Sequence, residues 1–587
     1  MNKGIQGILH ELIVVAAALF WCIFLRKSDA LLAPYTLTAL LSVAASLFLL
    51  RLGAWDEPKD SRIAAGIGAA MLSGAVALAN FGLLPLDYNG MLGIFRRIMN
   101  LCLLLCSGYI LFRQLFRWLY WKMRVAGHAN PKVSRESEKR VFLLGWLVLA
   151  LVYLAAMFLS FYPGLFTSDS IDQMTQIQTG TYTNHHPFYN SQLIRLFLTL
   201  GDKLFGNLNA GVATYSVFSV LMMSCCFAYV LCTVYSTTGS RGGTIAAFVW
   251  FLLMPFHITY SFSVWKDVPF AAAVTFFITS GFRMLESRER HRSSLVVWVL
   301  SAIGVCLLRS NGLLAFAAST VVFGLLFHKK EKKLLLILAA VICGCFVLKH
   351  PVLKAMNVAQ PDTIESLSIP LQQISRAVLE GKPLTSEEEQ LLNQVVDVER
   401  IPETYTGSIS DPMKMLVRER NNQAYLQSHK PEYLKLYITL GLKNPSVYVH
   451  AWVDETKGYW NGGYRYWRWY DEEIAAYFGA PNELGLENTV FSASARQAYL
   501  SYASLFTTPV LQPLSSLGLY TWALLLGAYA AWLKRDKNAL FTTVLPIMIV
   551  GTLLAATPVY AEFRYAYSVA CVLPMVIAAC LSPKKVC

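Results

Sequence analysis

Apolar runs close to the twenty residues needed to cross a bilayer recur along most of this chain. They fall near 5–25, 31–50, 63–84, 92–112, 141–161, 209–233 and 244–260, then near 268–285, 294–308, 312–327, 334–348, 514–533, 540–556 and 565–581. This pattern predicts an all-α integral membrane protein with about fourteen transmembrane helices. Several of the later runs are short, which suits tilted, paired or re-entrant segments. No A-x-A-like cleavage site follows the first run, so it reads as an anchor.

The runs divide the chain. Residues 1–140 hold four spans and a basic loop, and 141–348 hold seven more spans with a long loop at 162–208. A segment without spans, 349–510, precedes the last three at 511–587. Helical apolar spacing at 364–379, 385–397, 413–428 and 431–443 makes that segment mostly helical, with turns at Gly381-Lys382-Pro383 and Asn444-Pro445. Its stretch 459–470, YWNGGYRYWRWY, is dense in aromatics. Such rings suit a lipid–water boundary, and also contact with sugar or isoprenoid.

Composition agrees with a membrane solvent: the 587 residues are 55% hydrophobic and only 15% charged, well below the quarter or so usual in soluble chains. Charge then gives orientation. Basic residues collect at 113–140 (Arg113, Arg117, Lys122, Arg124, Lys132, Arg135, Lys139 and Arg140), at 283–292, 329–333 and 534–537, and at Lys584 and Lys585. With these spans all five clusters share one side, expected to be cytoplasmic. Arg26, Lys27, Arg96 and Arg97 fall on the other side and weaken the first four spans. The net charge of +14 therefore reads as topology and attraction to anionic lipid, not nucleic-acid binding. Segment 349–510 has no cysteine, which rules out a disulfide-stapled outer domain and a Cys-based metal site there.

The loop 162–208 carries the chemistry. Tyr162-Pro163-Gly164 ends a span, and Thr167-Ser168-Asp169-Ser170-Ile171-Asp172 opens a short helix running to about Gly180. His185-His186-Pro187 starts a second helix, 188–205, suited to the interface plane. Asp169 and Asp172 share a helix face, where limited water can raise a carboxylate toward a useful general-base pKa. The plainer alternative is that Asp169 caps its own helix and Asp172 serves the first turn. Adjacent His185 and His186 point apart, which suits hydrogen bonding better than shared chelation; metal dependence stays open. Trp265-Lys266-Asp267, Arg309-Ser310-Asn311-Gly312 and Glu562-Phe563-Arg564-Tyr565 lie at the same level of the membrane. Charges held there need partners or ligand. Lys and Arg suit a phosphate or diphosphate, and the plainer alternative pairs Lys266 with Asp267 and Arg564 with Glu562.

On YPGLFTSDSIDQ, HHPFYN, VWKDVPF, LLRSNG and EFRYAY the chain resembles an uncharacterised bacterial branch of the GT-C glycosyltransferase superfamily, and its layout over about 141–581 is similar to that superfamily. The resemblance implies a GT-C-like core in a bacterial plasma membrane, with the active site on the extracytoplasmic side. It implies a polyprenyl-phosphate-linked sugar as donor, a glycan, lipid or protein as acceptor, inversion at the anomeric carbon, and Asp169 as the base. Ser170 stands where protein O-mannosyltransferases carry a second acidic residue, which leaves the acceptor open and Asp172 as a substitute. No P-loop or dinucleotide fingerprint is present, and an activated lipid-linked donor requires none. A lipid-linked glycan ligase or polymerase is the near alternative. A lipid-linked oligosaccharide flippase or other transporter is the distant one, disfavoured because ionisable residues gather at span ends and no inverted repeat is visible.

Overall fold

The computed structural model describes residues 12–17, 59–79, 91–125, 133–287, 292–462, 482–508 and 510–582. The expected span at 31–50, most of that at 5–25, the aromatic residues 463–470 and the pair Lys584/Lys585 lie outside them. The described chain is helical, with isolated β-bridges and no named strands.

Among the described residues, eight helical segments are long and apolar enough to cross a membrane. They are built on α1 (Lys59–Ala79), α2 (Met91–Val125), α3 (Arg135–Ser160), α6 (Leu208–Thr238), α9 (Asp267–Glu286), α12 (Lys332–Val347, continued by further helical turns to Ala355), α18 (Lys537–Ala556) and α19 (Tyr567–Leu581, preceded by a helical turn from Phe563). Helices α10 (Arg292–Leu307), α11 (Gly312–Phe327) and α17 (Leu517–Leu533) are apolar but shorter. The expected span at 244–260 is broken. Pro255 has no N–H to offer and its ring crowds the preceding turn, so α7 (Arg241–Leu253) stops at Met254. The chain resumes as α8 (Pro255–Ser261), bent by 59°.

The core of the bundle is α9 and α19, buried along most of their length against α6, α17 and α18. Lipid tails are as apolar as leucine, so such helices associate by close packing. Between α5 (Phe188–Phe205) and α6 this is achieved with glycine: a Cβ at Gly201 would lie 2.6 Å from the Gly211 Cα.

The two ends of the bundle differ in chemistry. At one end Arg283 pairs with Glu138 (2.5 Å), Lys537 donates to the Leu326 carbonyl (2.9 Å), and Asn538 donates to that of Leu285 (3.2 Å). These contacts bring the basic segments around 135–140, 283–286, 326–333 and 534–538 to the same end. Asp169, Lys266, Arg309 and Arg564 occupy the other.

The helical segment after α12 caps that second end. Helices α13 (Ser368–Leu379), α14 (Asp411–Arg420) and α15 (Lys430–Lys443) enclose a core around Ile401, Met413, Leu416 and Leu436, and α16 (Pro445–Thr456) packs on α13 and α15 through Val447, Tyr448, Ala377 and Leu440. The continuous helix expected at 413–428 is two helices, because Asn421 takes a left-handed conformation (φ 51°) that ends α14. Single-cysteine labelling in a cysteine-free background tests the arrangement in a membrane. An impermeant reagent on intact cells is expected to label Ser408→Cys and spare Ser134→Cys; labelling of both would overturn it.

Candidate functional site

The loop after α3 is tied to the segment before α9 by backbone. Gly164 (φ 132°) makes the turn, and a Cβ there would lie 2.8 Å from the Phe262 carbonyl oxygen, so only glycine fits. The amide of Leu165 donates to the Phe262 carbonyl (3.0 Å), and that of Val264 donates to the Leu165 carbonyl (2.8 Å). Helix α4 (Ser168–Thr179) then begins at Thr167, whose amide donates to the Ser170 hydroxyl (3.1 Å). Ser170 donates onward to the Val264 carbonyl (2.7 Å), and the Trp265 indole donates to the Thr167 hydroxyl (2.8 Å). Thr167, not Asp169, is the cap.

Asp169, freed from capping, faces other elements. Its Oδ2 accepts from Arg564 Nη1 at 2.7 Å and from Lys266 Nζ at 3.2 Å. The Arg564 guanidinium also lies over the Trp265 ring, 5.0 Å from its centroid, a cation–π contact that fixes its plane. Lys266 Nζ lies 2.8 Å from His186 Nδ1, and His186 Nε2 lies 3.2 Å from Asp172. An ammonium can only donate, so Nδ1 accepts, Nε2 carries the proton, and the imidazole is oriented between Lys266 and Asp172. Asp172 also accepts from Gln176 (2.9 Å). Eight of the nine expected site residues thus form two neighbouring groups: Asp169, Asp172, His186, Lys266, Glu562 and Arg564 in one, Arg309 and Asp267 in the other.

The expected neighbour pair Lys266–Asp267 does not form. Successive residues do not face each other on a helix, and Asp267 opens α9 pointing inward. It lies 3.0 Å from Arg309 Nε, an ion pair by distance without an aligned hydrogen bond. Arg309 also donates to the Tyr565 carbonyl (2.7 Å) and lies over the Tyr565 ring. It therefore supports the segment carrying Arg564 and does not touch Asp169. Arg564 does pair with Glu562, at a longer 3.5 Å. His185 is exposed, 3.9 Å from Glu365, and its ring meets that of His186 edge-on at 4.8 Å, so the two adjacent rings do not point apart as expected.

Two contributors escaped the sequence reading. Lys349, buried just past α12, donates to the carbonyls of Cys306, Arg309 and Ser310 and holds the α10–α11 turn. Tyr459 accepts from the Glu562 amide (3.1 Å) and donates to the Val559 carbonyl (3.0 Å). With Ser410 on Pro558 and Gly458 on Tyr560, it fixes the connection before α19 to the outer helices. The aromatic run hinted at Tyr459; nothing in the sequence distinguished Lys349.

Burial pushes the Asp169 carboxyl up, but Lys266, Arg564 and His186 outweigh it and hold the group well below the usual carboxylate range. Burial, reinforced by Lys266, lowers His186 and keeps it neutral at pH 7. The His186 hydrogen bond lowers Asp172. Burial raises Glu562 to about 7, against the pull of Arg564. The Asp169–Lys266–Arg564 group thus carries one net positive charge beside a carboxyl that readily holds a proton. Among the described residues no three His, Cys, Asp or Glu side chains gather in metal-binding geometry, and Lys266 fills the space between Asp169 and His186. The residues present do not fit a metal.

Among the described residues, fold and site together define a helical bundle with eight helices long and apolar enough to cross a membrane and a part-buried ion-pair centre at one end. The chain belongs to a family described as a family of unknown function (DUF6020), whose match spans residues 174–585. That span includes His185, His186, Lys266, Asp267, Arg309, Glu562 and Arg564, and begins just after Asp169 and Asp172. No curated protein and no solved structure matches the chain.

The raised Glu562 gives a pH prediction with a definite sign. Its folded pKa lies above the ordinary 4.5 or so, so its contribution is complete below that value and is lost as pH rises through about 7. Glu562→Gln keeps the neutral form. Relative to wild type, the variant is expected to gain stability as pH rises from 5 to 8, by about 1–3 kcal/mol. Melting temperatures across that range check it, and a constant difference between the two proteins would contradict it.

Proposed function

We propose that this protein is a membrane glycosyltransferase that moves a sugar from a polyprenyl-phosphate donor to an extracytoplasmic glycan, lipid or protein acceptor. The observation that carries the reading is the pairing of Asp169 with both Lys266 and Arg564, three residues from distant segments converging at one end of an apolar bundle. Such a centre offers a carboxylate and two cations within one bond of each other, the groups needed for attack by a hydroxyl and departure of a phosphate. Arg564 Nε makes only the 3.5 Å contact with Glu562, without an aligned hydrogen bond, and can donate to a ligand oxygen.

In this reading the donor phosphate takes over Lys266 and Arg564 as it enters. Asp169 then loses the cations that depress its basicity and accepts the proton of the acceptor hydroxyl as that oxygen attacks the anomeric carbon. The sugar–phosphate bond breaks, and the lipid phosphate leaves with its charge held by Arg564 and Lys266. His186, neutral and oriented by Asp172, keeps the Lys266 ammonium in place.

The broken helix pair α7–α8 is a feature that transporters also use. Here His257, just past the break, is fully buried among Phe227, Trp250, Phe251 and Phe256 and meets the Tyr567 hydroxyl at 3.0 Å. Those contacts favour a packing role for the break.

Release of free lipid phosphate from labelled polyprenyl-phosphate sugars is the assay. Asp169→Asn removes basicity and keeps size, and is expected to fold and to turn over roughly 10²–10⁴-fold more slowly. Asp172→Asn is expected to be much milder, because Asp172 acts through His186. Near-normal turnover in Asp169→Asn would remove the proposed base.

A further inference from the structure

At the end of the bundle opposite Asp169 lies a cavity of about 800 Å³ between the ends of α9 and α11 and the turn from α17 to α18. It is lined by the apolar Leu285, Leu326 and Phe327 and by a buried Lys534, and the exposed Lys329, Lys330, Arg535 and Lys537 carry charge at its mouth. Two acids, Glu331 and Asp536, also line it, which leaves a surplus of three positive charges. Asp536 is engaged by backbone, accepting from the amides of Asn538 and Ala539 at the start of α18. Lys534 and Lys537 are anchored too, on the carbonyls of Cys580, Ser582 and Leu326. Lys329, Lys330 and Arg535 have no ion pair among the described residues.

Arg535 is the informative residue. It stands in the left-handed region (φ 51°), where its amide donates to the Trp532 carbonyl and that of Asp536 to the Ala531 carbonyl. This is the two-bond helix ending that normally takes glycine, because a side chain there is strained. A charged, branched head at that position sets a cation at the cavity mouth at a cost to the backbone, and such strain gathers where a ligand is held.

We propose that this cavity binds the phosphate head group of an anionic membrane lipid. Helix α9, twenty residues long, spans the bundle between the two sites, which puts the cavity about 30 Å from Asp169 at the level of the other membrane surface. A cationic mouth over an apolar wall matches a phosphate joined to acyl chains, and each cation near an anionic surface strengthens lipid binding. A narrow crevice of about 10 Å³ lined by Phe277, Phe316, Phe323 and Phe541 also borders Leu326.

Native mass spectrometry of the full-length protein, titrated with phosphatidylglycerol and with phosphatidylcholine, tests the site. Replacing Lys329→Gln, Lys330→Gln and Arg535→Gly together is expected to weaken phosphatidylglycerol binding about tenfold or more, and to leave phosphatidylcholine unchanged. A control carrying Arg135→Gln, Lys139→Gln and Arg140→Gln has the same net charge and is expected to bind as wild type. Equal losses in the two variants, or no loss in the first, would overturn the proposal. So would full displacement of the lipid by millimolar inorganic phosphate, which would make free phosphate the ligand. If the triple variant shows no melting transition, Arg535→Gly alone, which relieves the left-handed strain, carries the test with an expected weakening of about threefold. An unchanged affinity there would also overturn it.

Discussion

Everything at the candidate site depends on one carboxylate held between two cations in a place with little water. An ionised Asp169 alone at the top of an apolar bundle would be costly, and so would Arg564 or Lys266 alone. Together they hold one another charged, and each arrives on a different segment. The loop after α3 brings Asp169, the start of α9 brings Lys266, and the connection before α19 brings Arg564. The same contact therefore joins three parts of the fold and holds a charged centre at one end of the bundle.

The outer helices contribute from the other side. Tyr459, Ser410 and Gly458 hold residues 558–562 by their backbone, so Glu562 and Arg564 approach Asp169 from a fixed direction. Lys349 and Arg309 do the same from below, one by bonding carbonyls, the other by bonding and stacking on Tyr565. Positions of reactive groups must be held by packed neighbours if they are to be useful, and here the neighbours come from both the bundle and its cap.

Much of this was legible in the sequence, because crossing lipid demands long apolar runs. The runs at 294–308 and 312–327 correspond to α10 and α11 within two residues. The short helix ending at Gly180 and the second one at 188–205 followed from a left-handed glycine and a proline. Lys266 and Arg564 stood out as charges at span ends, and Asp169 as an acid opening the first helix of the loop 162–208. Their partners did not, because pairing across the fold leaves no spacing signal. Neighbours in sequence looked like partners, yet Asp267 turns inward to Arg309 while Lys266 turns outward to Asp169. The break at Pro255 was missed because hydropathy averages over a bend. Lys349 was missed because its acceptors are backbone carbonyls, which any sequence supplies.

The pairing itself is open to direct measurement through a double-mutant cycle on Asp169 and Arg564. Removing one partner alone leaves the other charge buried, whereas removing both leaves none. Melting stability of Asp169→Asn, Arg564→Gln and the double variant is predicted to show the second change costing less after the first, with a coupling of about 1–3 kcal/mol. Losses that simply add, within about 0.5 kcal/mol, would contradict the account.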